Sequence, residues 1–226
     1  MKLAPAAVFF DAIAPRYDHA YAPSAADSKH RMARVLAALP RRPLRVLDLG
    51  VGTGRELASL LDAGHEPTGV DASKAMLERC ARRARPAMLV HADFWQSPLP
   101  FGAGTFDAAI ALHGTLAHPP DAAAVSRLGA ELARIVRPGG WVVAEVPSPA
   151  WLDVVASSDL PGDREVRRTG PCACVLEDRV VGLAIGARFL DRSEWVESLL
   201  PAWRSELRPI GSSEWLLVAE RVTGQA

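Results

Sequence analysis

Leu47-Asp48-Leu49-Gly50-Val51-Gly52-Thr53-Gly54 decides the fold. A short apolar run carrying one acid breaks into glycines at alternate positions, and an apolar face of helical spacing, Leu57, Leu60 and Leu61, follows at once. That order predicts a strand, a tight loop and a helix, with the loop at the carboxyl edge where open α/β sheets bind ligands. Alternate glycines clear side chains from the loop so that a ligand can lie against backbone N–H groups, and a helix N-terminus adds partial positive charge. The G-x-G-x-x-G spacing of nicotinamide enzymes would need glycine where Arg55 stands. No Lys-Ser or Lys-Thr pair follows the loop, which excludes a P-loop.

Outward from the loop the alternation continues. Strands are expected at Leu44–Leu49, Thr68–Asp71, Met88–His91, Phe106–Leu112 and Trp141–Val146, apolar on consecutive residues as parallel strands buried on both faces are. Between them Met76, Leu77 and Cys80 mark one helix, and Val125, Leu128, Leu132 and Ile135 mark another. The class is α/β, a doubly wound, mostly parallel seven-stranded sheet. Two helices precede it, one over Ala6–Ile13 and one starting at Ser24 and Asp27 with Met32, Val35, Leu36 and Leu39 inward. After it, Asp191 and Glu194 cap a helix, and Trp203–Ile210 and Trp215–Val222 form an antiparallel hairpin across Gly211-Ser212-Ser213. Pro147–Leu190 breaks the rhythm with Pro147-Ser148-Pro149, Pro161-Gly162 and Gly170-Pro171, yet its run Val180–Leu190 is too apolar for a solvated linker. It reads as a cap insertion. The organisation expected is an N-terminal helical lid (1–40), a core (41–146 and 191–226) and a cap insertion (147–190), all in one domain.

The chain's 226 residues suffice to bury about 70% of the unfolded surface without a disulfide or metal. With 49% hydrophobic and 23% charged residues it is too apolar to be disordered. Lys+Arg and Asp+Glu both total 26, and that zero balance argues against a nucleic-acid partner. The three cysteines make no disulfide framework and fit a reducing compartment, so a cytoplasmic location is expected. Cys80 reads as core; Cys172 and Cys174, a lone C-x-C, read as ordinary cap cysteines, and no metal is expected. The apolar start to Phe10 imitates a signal peptide, but Pro5 interrupts it and Asp11 ends it too early. No run of 18 apolar residues exists to enter a membrane.

Two further acids end the next two strands. Asp71 stands where a carboxylate accepts both hydroxyls of a ribose, although it also suits a helix cap before Ser73. Asp93 is followed by Phe94, a pair able to take the exocyclic amine and the face of an adenine; otherwise Asp93 is a loop residue. With Asp48, three acids at successive strand ends converge on one nucleoside.

On these residues the chain resembles the class I S-adenosylmethionine-dependent methyltransferases of small-molecule type, over roughly residues 9–146 and again over the last hairpin. The resemblance implies a Rossmann-like methyltransferase fold and S-adenosylmethionine as cofactor. It assigns Asp48, Gly50, Gly52 and Gly54 to the glycine motif, Asp71 to the ribose, Asp93 and Phe94 to the adenine, and Arg137-Pro138-Gly139-Gly140 to the turn before strand five. Phe10-Asp11-Ala12-Ile13-Ala14-Pro15-Arg16-Tyr17-Asp18 resembles the segment that lies across the cofactor, so Tyr17 is a candidate lid residue or a packing tyrosine between helices.

Methyl transfer by in-line displacement needs mainly alignment and exclusion of water, with a base where the acceptor must lose a proton. Candidates lie in Leu112-His113-Gly114-Thr115-Leu116-Ala117-His118-Pro119-Pro120. His113, at the strand end, serves as base, contacts the methionine part of the cofactor or is simply packed; His118 reads as a structural cap near the following helix. His118-Pro119-Pro120-Asp121 stands where enzymes acting on the amines of adenine or glutamine carry a different motif, and Pro171-Cys172 lies on the wrong loop for a cytosine-type nucleophile. O, N, C and S all stay open as the acceptor's nucleophilic atom, and oligomeric state is equally open. The function expected is methyl transfer to a small-molecule acceptor; the alternative is an S-adenosylmethionine-binding protein that does not methylate, and a nicotinamide oxidoreductase is a distant third.

Overall fold

The computed structural model describes residues 3–21, 24–83, 87–96, 98–156, 163–210 and 213–223. The chain begins with α1 (Ala6–Ile13), a single 3₁₀ turn and α2 (Tyr17–Ala20), then α3 (Ala25–Ala38), whose N-cap Ser24 accepts the Asp27 N–H. The alternating part follows as β1 (Arg45–Leu49), α4 (Leu57–Asp62), β2 (Glu66–Asp71), α5 (Lys74–Arg83), β3 (Met88–His91), β4 (Phe106–Ala111), α6 (Ala124–Ile135) and β5 (Val136–Pro147). A short α7 (Ala150–Ala156) leads to β6 (Arg164–Gly170), β7 (Ala173–Asp178) and β8 (Leu183–Arg188). The last elements are α8 (Arg192–Leu199), opened by the Asp191/Glu194 capping box, β9 (Trp203–Pro209) and β10 (Glu214–Arg221).

Seven strands make one sheet in the order β3-β2-β1-β4-β5-β10-β9. The first five are mutually parallel and β10 runs antiparallel to both β5 and β9, which is the expected fold class. Turn residues 211–212 of the hairpin, like Pro161-Gly162 of the insertion, lie outside the described residues. Strand order reverses between β1 and β4, and that reversal opens a crevice above the carboxyl ends.

Period-two alternation sends neighbours on β1 to opposite faces. Leu47 and Leu49 join Ala109, Val142 and Leu217 against α6 and α8, where Leu128, Leu132 and Trp195 are buried. Val46 joins Ile110, Val143 and Leu216 against α3, α4 and α5, where Val35, Leu60 and Cys80 are buried. α6 and α8 approach so closely that a Cβ on Gly129 would overlap the backbone carbonyl of Leu199, so only glycine fits there.

Two strand details differ from expectation. β5 begins at Val136, paired with Phe106, and residues 137–140 bulge opposite the single Asp107, whose carboxylate accepts from Arg137 Nε at 2.7 Å and the Arg45 backbone N–H at 2.9 Å. The stretch expected as a cap insertion holds a second, antiparallel sheet in the order β6-β7-β8. Its first strand, Arg-Glu-Val-Arg-Arg-Thr-Gly, lacks the apolar run that marks a strand buried on both faces.

The N-terminal segment is fastened to this second sheet. The Ala4 N–H donates to the Ala184 carbonyl at 2.8 Å, and Phe9, Ile13 and Ala14 bury themselves with Met76 of α5 and Ile185 of β8. Asp178, fully buried, accepts from Arg16 at 3.1 and 3.2 Å, from the Tyr21 hydroxyl, and from the backbone N–H groups of Val180 and Val181 at 2.9 and 3.2 Å. Among the described residues no helix is long and apolar enough to cross a membrane.

Candidate active site

At the end of β1 the chain turns through Gly50, Gly52 and Gly54, all with positive φ. Gly54 has a second constraint, since a Cβ there would stand 2.5 Å from the Cys80 sulfur of α5. Asp48 is buried behind this turn with Oδ2 lacking any hydrogen-bond partner. Burial, reinforced by the charges of Glu56 and Asp71, pushes its carboxyl well above the ordinary range.

Asp71 braces the loop as well as facing the crevice. Its two oxygens accept the Gly52 and Ser73 N–H groups, each at 2.8 Å, while Ser73 Oγ caps α5 by accepting the Met76 N–H at 3.1 Å. Ser73, not Asp71, is thus the side chain that caps α5, and Asp71 braces the glycine loop and the residue before the helix. Burial raises its carboxyl above the usual value despite these backbone donors. Asp93 likewise accepts from the Trp95 N–H at 2.9 Å and Gln96 Nε2 at 2.6 Å, and Phe94 packs on Trp95 with ring centres 5.1 Å apart. Each carboxylate oxygen has a second lone pair, so these bonds leave acceptor capacity on the crevice side.

Ala6, Ala7, Phe10 and Tyr17 of the N-terminal segment line the crevice. Asp11 accepts from Ser73 Oγ at 2.6 Å, and Asp18 accepts from Thr53 Oγ1 and from Arg83, both at 2.7 Å, tying α1 and α2 to the glycine loop and α5. Tyr17 stacks on Tyr21 with ring centres 6.0 Å apart and planes 6° from parallel, and burial pushes its phenol up to about 12. It both packs and lines the crevice.

After β4 the backbone takes an uncommon path: His113, at φ 55°, is the single non-glycine residue with positive φ among the described residues. Its N–H donates to Glu145 Oε2 at 2.7 Å, its ring Nε2 pairs with Glu56 Oε1 at 2.7 Å, and its Nδ1 lies 4.0 Å from Glu145 Oε2. Glu145, almost wholly buried on β5, also accepts from Arg31 of α3 at 2.8 Å, and Arg31 reaches Glu214 of β10 at 3.2 Å. None of Glu56, Glu145, Arg31 and Glu214 is among the residues expected from sequence. Glu145 left one signal, a lone charge inside the apolar run 141–146. His118 does not cap α6: it bonds through Nδ1 to the Gly186 carbonyl of β8 at 2.8 Å, and burial lowers its imidazole below the ordinary value.

Two cavities meet here. One, of about 110 Å³, is lined by Asp48, the glycine loop, Asp71, Asp93, Phe94 and Tyr17. The other, of about 380 Å³, lies between the N-terminal helices, the end of β5 and the second sheet, within the size range of small-molecule pockets. Phe10, Tyr17, His113, Gly114 and His118 line both. The smaller cavity offers backbone donors, an orphaned buried carboxyl oxygen, three further carboxylates (Glu56, Asp71 and Asp93) and an aromatic wall, a set that fits a nucleoside with a cationic tail.

Residues 46–140 match the model of a methyltransferase domain family. A demethylmenaquinone methyltransferase of Beutenbergia cavernae is 38% identical over 146 residues, covering 63% of this chain and 58% of that protein. One of Thermus thermophilus is 37% identical over 149 residues, covering 62% and 65%. The chain thus spans less than two thirds of the length of these curated relatives. The CcbJ methyltransferase of Streptomyces caelestis superimposes with a TM-score of 0.70 at 22% identity, covering 97% of this chain and 100% of that one, which shows a shared fold.

Proposed function

We propose, on the premise that this chain belongs to the class I S-adenosylmethionine-dependent methyltransferases, that it transfers a methyl group to a small molecule held in the larger cavity. The observation that carries this reading is the junction: five residues line both cavities, so a ligand in one meets a ligand in the other. A sensor that only bound the cofactor would have no use for the second cavity. The name of the demethylmenaquinone relatives supports a small-molecule acceptor, and the apolar walls agree with one.

S-adenosylmethionine supplies an electrophilic methyl on a sulfonium, already a good leaving group. Asp71, Asp93 and Phe94 would hold its nucleoside, and the backbone of residues 50–54 with Asp48 would hold its tail. Phe10 and Tyr17 close the roof and exclude water. His113 takes the proton of the acceptor. With Glu56 accepting the Nε2 proton at 2.7 Å, the lone pair of Nδ1 is available, and the carboxylates of Glu56 and Glu145 stabilise the imidazolium once it forms.

The test is an untargeted screen of metabolite extracts with S-adenosylmethionine carrying a labelled methyl. Labelled products made by the wild type and not by Asp71→Ala support the reading. Tight binding of the cofactor with no labelled product in any extract supports the sensor.

A further inference from the structure

We infer that the acceptor is an amine carried on an apolar frame; this rests on the methyltransferase reading and goes beyond it by naming the acceptor's chemical class. Three observations converge. The larger cavity is walled by rings and aliphatic side chains, among them Phe9, Tyr21, Trp151, Phe189, Leu176 and Ile185, so the body of its ligand is apolar. Its end nearest the cofactor crevice is different in kind. There Glu214 and Arg31 line the cavity beside His113, the His113 ring and N–H bond to Glu56 and Glu145 behind it, and Arg31 is divided between Glu145 and Glu214. At the other end Arg164 and Arg16 are matched by Asp163 and Asp178, so no comparable excess arises.

An excess of carboxylates in a partly buried place attracts a cation and repels an anion, with an energy well above that in bulk water. The sulfonium of the cofactor accounts for one positive charge, and a protonated amine supplies the next. An acceptor carboxylate would bring a fourth negative group to the same place. The third observation is in the wall itself: the Arg164 guanidinium lies 4.7 Å from the centre of the Tyr21 ring, so one ring of this wall already holds a cation by its face.

The chemistry balances without a further reactant. The ammonium gives one proton to His113 Nδ1; the freed lone pair on nitrogen forms the bond to the methyl carbon as the carbon–sulfur bond breaks, its electron pair leaving on the now neutral sulfur. The product is a methylated ammonium, and His113 returns its proton to solvent.

The experiment uses three probes of one size and frame, 2-phenylethylamine, 2-phenylethanol and phenylacetate, titrated calorimetrically into protein saturated with S-adenosylhomocysteine and into protein alone. The amine is expected to bind about tenfold tighter than the alcohol, with phenylacetate weakest. In Glu214→Gln the gap between amine and alcohol should close to about threefold. Phenylacetate or the alcohol binding as tightly as the amine overturns the inference, as does an unchanged gap in Glu214→Gln or failure of all three probes to bind. The S-adenosylhomocysteine titration is read separately: if that ligand does not bind, the methyltransferase reading fails, whatever the order of the probes.

Discussion

Replacing Asp71 by alanine should damage two things that can be measured apart. In the protein, the carboxylate holds the Gly52 and Ser73 N–H groups at 2.8 Å each, one on each oxygen. Losing those acceptors loosens the loop and the start of α5 at about 1–3 kcal/mol for each donor left unsatisfied, reduced where water reaches the crevice. In the complex, the remaining lone pairs are those proposed to take the ribose hydroxyls, and two bonds to a charged acceptor are worth about 2–4 kcal/mol of affinity. That corresponds to roughly thirty- to several-hundredfold weaker binding. Asp71→Asn keeps one acceptor oxygen and should fall between the two. The assay is calorimetric titration with S-adenosylhomocysteine, paired with denaturant unfolding so that binding is compared only between folded proteins. A folded Asp71→Ala with wild-type affinity would remove Asp71 from the cofactor site and leave it a loop brace alone.

Three other outcomes are expected. Asp178→Ala strips a fully buried acceptor from Arg16, Tyr21 and two backbone N–H groups, and should destabilise the protein by about 3–5 kcal/mol in denaturant unfolding; a loss under 1 kcal/mol would mean that the N-terminal segment is held by its apolar contacts instead. Burial lifts the Asp107 carboxyl, but bonds from Arg137 and Arg45 outweigh it and bring it down from 3.8 to about 2. Because the folded value is the lower one, its stabilisation is complete above about pH 4 and is lost as pH falls through 2, so Asp107→Asn should cost about 1–2 kcal/mol at neutral pH and almost nothing at the acid end, as unfolding at several pH values would show. His113→Ala should lower kcat by about 10²–10⁴ with cofactor affinity nearly unchanged. If His113→Ala instead binds the cofactor poorly and turns over normally at saturation, the histidine serves the methionine end of the cofactor and not the acceptor.

How much of this was legible in the sequence follows from how local each signal is. The parallel strands announce themselves because strands buried on both faces are continuous apolar runs, and the glycine loop announces itself because alternate glycines are rare without a backbone reason. Asp71 and Asp93 could be placed at strand ends for the same reason, although nothing in their neighbours reveals that each also braces its own loop. The cluster around His113 was hidden. Arg31 and Glu145 are 114 positions apart and Arg31 and Glu214 183, so their pairing exists only after the sheet has brought β5 and β10 beside α3. β6 was equally invisible, since four of its seven residues are charged and a strand packed on one side needs no apolar run.

The fastening of the N-terminal segment to the second sheet bears on any attempt to retarget this protein. Much of the wall of the larger cavity comes from two stretches more than a hundred residues apart, the N-terminal segment and the second sheet, and the buried carboxylate of Asp178 is one of the links that join them. Transplanting residues 163–190 alone from another scaffold would bring in foreign walls while stranding Arg16 and Tyr21 without their acceptor. Exchange of the two stretches as a matched pair keeps that junction whole. Libraries meant to shift acceptor choice should therefore diversify cavity-lining positions of the second sheet, such as Val166, Leu176, Ile185 and Phe189, together with Phe9, while keeping Asp178, Arg16, Tyr21, Tyr17, Asp11, Asp18 and the glycine loop, so that selectivity varies while the cofactor side is left unaltered.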